Sequence, residues 1–162
     1  MKAIVLTPPS INFETPSGYK KIFLAGSIEM GKAEDWQQKV ITAVSDFEKV
    51  IYNPRRENFP INDPNASEQQ IVWEFNHLRD SDIIIFWFSK GSLNPIVLYE
   101  LGKWGNSTNK PIFVGCDQEY ERKLDVEIQT KLARGNIKIY SDLKEMCDEI
   151  VGMLNSENQR NF

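Results

Sequence analysis

The hydrophobic pattern is built of short apolar runs that alternate with longer segments of helical period. Ile83–Phe88 (IIIFWF) is the strongest run, too short for a helix and rich in β-branched and aromatic residues. Such a run reads as a strand covered on both faces, as in the middle of a parallel sheet. Lys21–Gly26, Val50–Tyr52, Pro111–Gly115 and Ile137–Tyr140 read as further strands, and Ala3–Leu6 as a short edge strand at most. Between them, Trp36, Val40, Val44 and Phe47 recur at helical spacing within Glu34–Lys49. Ser67–Arg79 reads as a helix opened by a capping box, with Ser67 at the N-cap and Gln70 at N3. Asn94-Pro95 opens another helix, with Asn at the N-cap and Pro at N1. Glu121–Arg134 and Ser141–Leu154 complete the set.

Strand and helix thus alternate five times, which argues for βαβ units and a parallel sheet. The expected fold is α/β, a flavodoxin-like three-layer α/β/α domain with a five-stranded parallel sheet in the order 2-1-3-4-5. Residues 1–162 form one domain in this reading, with 1–20 an irregular N-terminal extension and 155–162 a polar C-terminal tail. The switch point lies between Ile22–Ala25 and Ile83–Phe88. Gly26–Gly31 should face Ser89–Asn94 and Glu100 across one crevice.

Composition narrows the classes. A net charge of −4 and a pI near 5.1 argue against a nucleic-acid-binding surface. No apolar run approaches the ~20 residues that span a bilayer, and the first residues carry no signal-peptide pattern. Two cysteines, Cys116 and Cys147, fit a reducing cytoplasm, and one histidine, His77, argues against a zinc site.

The candidate chemistry is acidic. Glu100 falls on the second turn of the helix that follows the central strand and its polar loop, with Val97, Leu101 and Trp104 as its i−3, i+1 and i+4 neighbours. The bland alternative is a surface glutamate paired with Lys103. Glu74 shares a helix face with Ile71, Phe75 and Leu78, so that helix also carries a carboxylate on an apolar stripe. The two helices flank the central strand, and their carboxylates can meet over its end. Cleavage of a glycosidic bond uses such a pair, one carboxylate as nucleophile and the other as acid or base. Gly26-Ser27-Ile28 offers backbone N–H groups to a phosphate or hydroxyl, or is simply a tight βα turn. Asn53 and Arg55 follow the second strand. Arg55 and Arg56 can hold an anion or form surface ion pairs. Trp73, Trp87 and Phe88 read as core, and Cys116 has no activating neighbour in sequence.

Several stretches together resemble the nucleoside 2-deoxyribosyltransferase family, in its divergent deoxyribosyltransferase-like branch. They are IFLAGSIEMG, Asp35-Trp36, NPRR at Asn53–Arg56, QIVWE at Gln70–Glu74, DIIIFWF, PIVLYELG at Pro95–Gly102 and ERKLDVEIQ at Glu121–Gln129. The resemblance implies transfer of a 2-deoxyribosyl group between nucleobases through a covalent glycosyl-glutamate ester, with no cofactor and no metal. It matches Glu100 to the nucleophile and Glu74 to the acid that handles the base proton. Asn94 stands where the family usually has an aspartate that holds the sugar. Asp125 stands where a neighbouring subunit lends a residue to the sugar hydroxyl, which implies a homodimer or higher oligomer. Phe23 or Leu24 stands near the family's tyrosine. Gly26-Ser27-Ile28 also resembles the phosphate-binding turn of deoxynucleoside 5′-monophosphate N-glycosidases.

The leading expectation is an enzyme acting on a (deoxy)nucleoside and a free nucleobase. Its alternatives are a hydrolase of the 5′-monophosphate and, from another class, a nucleotide-binding or sensor module with little turnover. An electron-transfer flavodoxin would share the fold but needs a hydroxyl-rich loop after the first strand, which this chain lacks.

Overall fold

The computed structural model describes residues 2–28, 34–107 and 109–160. In chain order the elements are β1 (Ile4–Leu6), β2 (Lys20–Gly26), α1 (Trp36–Ala43), β3 (Lys49–Tyr52), α2 (Ala66–Asp80), β4 (Ile83–Phe88), α3 (Pro95–Ser107), β5 (Ile112–Cys116), α4 (Lys123–Ala133), β6 (Ile139–Tyr140) and α5 (Leu143–Arg160).

All strand pairs are parallel, in the order β1-β3-β2-β4-β5-β6. The sheet therefore has six strands, not the five in order 2-1-3-4-5 that the pattern predicts. The difference is β1, which the sequence offers only as a short edge strand over four apolar residues, Ala3–Leu6, ahead of Pro8-Pro9. It gains a place by pairing Ile4, Val5 and Leu6 with Val50, Ile51 and Tyr52 at the edge beyond β3. The N-terminal segment is accordingly not irregular throughout, and Lys20 already belongs to β2.

Period-two alternation sorts the strands between two cores. Ile22, Leu24, Ile83, Ile85 and Trp87 point to the layer of α1 and α5. Phe23, Ala25, Ile84, Phe86 and Phe88 point to the layer of α2, α3 and α4. Because helices cover both faces, β4 is buried at every position, which is why its sequence is continuously apolar.

Three further differences have local causes. Helix α2 starts at Ala66 behind Asn65, not behind Ser67, and no side chain caps it. Gln70 is instead drawn inward to the Pro54 carbonyl. Ile71 and Phe75 face solvent and the cleft described below. Ala66, Gln70, Trp73 and Leu78 form the buried face of α2. The polar segment after Leu154 stays helical to Arg160. Leu154 is fully buried, and Glu157 pairs with Lys20 at 2.7 Å, tying the last turns to the start of β2. No described helix is long and apolar enough to cross a membrane.

Candidate active site

The site forms where β2 and β4 end side by side, Ala25 beside Phe86 and Gly26 beside Trp87. Gly26 is required there by packing. A Cβ on it would lie inside van der Waals contact with the Trp36 ring and the Trp87 carbonyl. The chain then passes through Ser27 and Ile28; Glu29, Met30 and Gly31, the rest of the expected turn, lie outside the described residues.

A cleft of about 520 Å³ opens between α2 and α3 above these strand ends. That size suits a small organic ligand. Its floor is Phe23, Ala25 and Gly26. On one side Ile71, Glu74, Phe75 and Leu78 descend from α2; on the other Ile96, Val97, Tyr99, Glu100, Lys103 and Trp104 descend from α3. Helix α2 is oriented by Trp73. Its Nε1 donates to the Ser10 carbonyl at 2.8 Å, and its ring stacks on His77 at 4.1 Å. With Trp73 fixed inward, the next residue turns about 100° around the helix, and Glu74 enters the cleft. On α3, Val97, Leu101 and Trp104 are buried and hold Glu100 against the cleft wall.

Both carboxyls are held above the usual carboxylate range. Burial raises Glu74, and a hydrogen bond from Gln70 Nε2 at 2.6 Å pulls the other way. Burial, and after it the charge of Glu74, push Glu100 up to about 8. A half-buried like-charged pair of this kind keeps a proton near neutrality. Lys103 is the other charged residue on the described walls, with its ammonium over the Phe75 ring at 4.2 Å.

The opposite end of the cleft is hydrogen-bonded. Asn94 is buried and has φ +48°, a left-handed conformation that asparagine tolerates better than most residues. Its Oδ1 accepts from Ser27 Oγ and, at 3.0 Å, from Ser92 Oγ. The Ser27 carbonyl accepts from Trp36 Nε1 at 3.2 Å and Gln37 Nε2 at 3.1 Å. Gln37 Oε1 in turn accepts from Arg55 Nε at 3.2 Å. Tyr120 Oη donates to the Leu93 carbonyl at 2.8 Å and steadies the loop that carries Asn94.

A family model described as nucleoside 2-deoxyribosyltransferase-like matches residues 19–120, more than half of the chain. The chain belongs to that family. Among solved structures it resembles the crystal structure of a conserved protein from Enterococcus faecalis V583. The TM-score is 0.61 at 18% identity, covering 82% of this chain and 97% of that one. That likeness speaks for the fold alone. A comparison with curated proteins finds no match.

Of the residues singled out by sequence, the cleft brings together Gly26, Ser27, Ile28, Glu74, Asn94 and Glu100. Phe23 lines it too, whereas Leu24 points into the opposite core. Asn53 and Arg55 do not line it. Asn53 Oδ1 accepts from Arg55 N at 3.0 Å in a local turn, and Arg55 buttresses Gln37 and the Glu34 carbonyl. Asp125 lies on α4, paired with Arg122 at 3.1 Å, beside a separate groove between α3 and α4. Within one chain it does not reach the cleft lining.

His77 stacks on Trp73 and meets Tyr52 edge-on, and Cys116 is fully buried with its thiol pushed up to about 12. Among the described residues no group of His, Cys, Asp or Glu is arranged to hold a metal. Sequence reasoning missed Gln70, Ser92 and Tyr99. Gln70 is four residues before Glu74, a spacing that puts both on one helix face, but its apparent capping role masked that contact.

Proposed function

We propose that this chain is an enzyme that cleaves the N-glycosidic bond of a (deoxy)nucleoside through a covalent glycosyl-glutamate intermediate. One observation carries the reading: carboxylates from two consecutive helices line one mostly apolar cleft, and the charge of one raises the other. Family membership supports it by placing the chain among nucleoside 2-deoxyribosyltransferase-like proteins.

Glu100, ionised, attacks the anomeric carbon from the face opposite the base. Glu74, protonated, gives its proton to the departing base. A second base then takes the sugar from the ester, and Glu74 takes back the proton that this base releases. Asn94 and the Gly26-Ser27-Ile28 turn hold the sugar end. Asp125 reaches the sugar from a second copy of the chain, in a homodimer or higher oligomer. A ligand seated between the apolar walls displaces water from them, which strengthens every charge effect inside.

A second reading shares the bond cleavage but takes water as acceptor and a 5′-monophosphate as substrate. It is favoured by Asn94, whose oxygen is already engaged by Ser27 and Ser92. With that oxygen taken, the group Asn94 offers a ligand is its Nδ2, one hydrogen of which goes to the Ser92 carbonyl at 3.4 Å and the other of which suits a phosphate oxygen.

Incubation with a deoxynucleoside and a second free base separates the two. Exchanged nucleoside supports the transferase, and free sugar or sugar phosphate alone supports the hydrolase. No base release from any nucleoside or nucleotide, with measurable binding, overturns both in favour of a binding module.

A further inference from the structure

Gln70 lies beneath the cleft, buried to within 8% of full cover, one turn before Glu74 on α2. Both hydrogens of its amide are spent. One goes to the Pro54 carbonyl at 2.9 Å, the other to Glu74 Oε1 at 2.6 Å. Its own Oε1 is buried with no partner.

This arrangement has a direction. A backbone carbonyl only accepts, so Pro54 dictates which end of the amide is nitrogen. Turning the amide over would set two oxygens against each other and expose Glu74 to an acceptor. Glu74 therefore faces a donor, and a donor favours the ionised carboxylate. Among the described residues, burial and, after it, the charge of Glu74 act on Glu100. The charged groups on the described walls are Glu74 from α2 and Glu100 and Lys103 from α3; the lining residues of β2 and of the loops contribute none. The Lys103 ammonium sits over the Phe75 and Trp104 rings, at 4.2 and 5.1 Å from their centroids.

We propose that Gln70 is a positioning residue, pinned by Pro54, that keeps Glu74 as the ionised member of the pair and leaves the pair's one proton on Glu100 in the free protein. The consequence for turnover rests on the glycosidic reading above. Binding of a nucleoside then has to move that proton from Glu100 to Glu74. Glu100, now an anion, forms the bond to the anomeric carbon as the bond to the base nitrogen breaks. The electron pair of the broken bond leaves with the base, and the proton on Glu74 follows it. The pair starts with one proton and ends with none, and the base carries it away, so no further reactant is needed.

The test uses the whole chain with carbon-13-labelled glutamate carboxyls and no substrate, titrated by NMR. Glu100→Gln and Glu74→Gln assign the two signals. In the unsubstituted protein Glu100 is expected to keep its proton to higher pH than Glu74. In Gln70→Met, which keeps the volume and removes the donor, the Glu74 titration is expected to rise by about one pH unit. Glu74 titrating above Glu100 in the unsubstituted protein overturns the proposal even if the Met variant does not fold. So does a folded Gln70→Met whose Glu74 signal does not move. Neither measurement needs turnover. A titration in the expected order with no base release would leave Gln70 its role and remove the glycosidic reading.

Discussion

The two ends of the cleft are built on opposite terms. At the Ser27–Asn94 end each polar group described is engaged, in a chain running from Arg55 through Gln37 and Ser27 to Asn94. At the Glu74–Glu100 end two carboxyls share a mostly apolar wall, and the donor from Gln70 goes to Glu74. Satisfied polar networks stiffen a fold, whereas under-solvated charges store reactivity. The difference assigns the first end to holding a ligand and the second to changing it.

The comparison breaks most readily at Glu100. Glu100→Gln is expected to lower base release by at least about a thousandfold while the protein stays folded, since the loss of a nucleophile is of that order. Steady-state rates beside a thermal melt check this. Turnover near the normal rate would move the reactive end elsewhere.

Next comes pH. Burial and the Glu74 charge let folded Glu100 hold its proton to about 8, against 4.5 as the ordinary value. Between those values the folded state binds the extra proton, so stability is full below about 4.5 and is lost as pH rises through 8. Glu74, also raised, acts in the same sense. Denaturant melts from pH 5 to 9 should show a fall on the order of a few kcal/mol, and Glu100→Gln should flatten it.

The supporting end should respond in the reverse way. Gln37 is fully buried between the Ser27 carbonyl and Arg55. Gln37→Leu should cost roughly 2 kcal/mol of stability by leaving buried partners unsatisfied, with kcat changed much less. Melts and kcat measured on the same sample decide it. The smallest effect is expected at Asn94. Asn94→Ala loses the two hydroxyl bonds and meets a left-handed backbone, costing about 1–2 kcal/mol, and should raise KM about tenfold with little change in kcat. A kcat effect as large as that of Glu100→Gln would erase the distinction between the two ends.

Much of this was legible in the chain because the signals are local. The apolar run of β4 and the Asn94-Pro95 helix start identify the strand and helix that carry Glu100, and the Ile71–Leu78 pattern carries Glu74 to the same place. What sequence did not reveal depends on long-range partners. The sequence offers β1 as a possible edge strand, but only its pairing with β3 makes it a sixth member of the sheet. Gln70 looked like a capping residue because its true partner, the Pro54 carbonyl, is a backbone atom with no signature in sequence. Arg55 looked like an anion site, yet its guanidinium is spent behind Ser27, since Gln37 lies within reach only after α1 packs against the sheet. Ile71, Phe75 and Leu78 read as one apolar stripe, but Trp73 and Leu78 take the buried side of α2, and Ile71 and Phe75 turn outward.

The most direct trial of the central claim is a soak with a 2-fluoro-2-deoxy nucleoside followed by mass spectrometry of the digested protein. The fluorine slows hydrolysis of a glycosyl ester, so the account predicts a sugar adduct on the peptide that contains Glu100, absent in Glu100→Gln. An adduct on Glu74, or base release with no adduct on either glutamate, would contradict it.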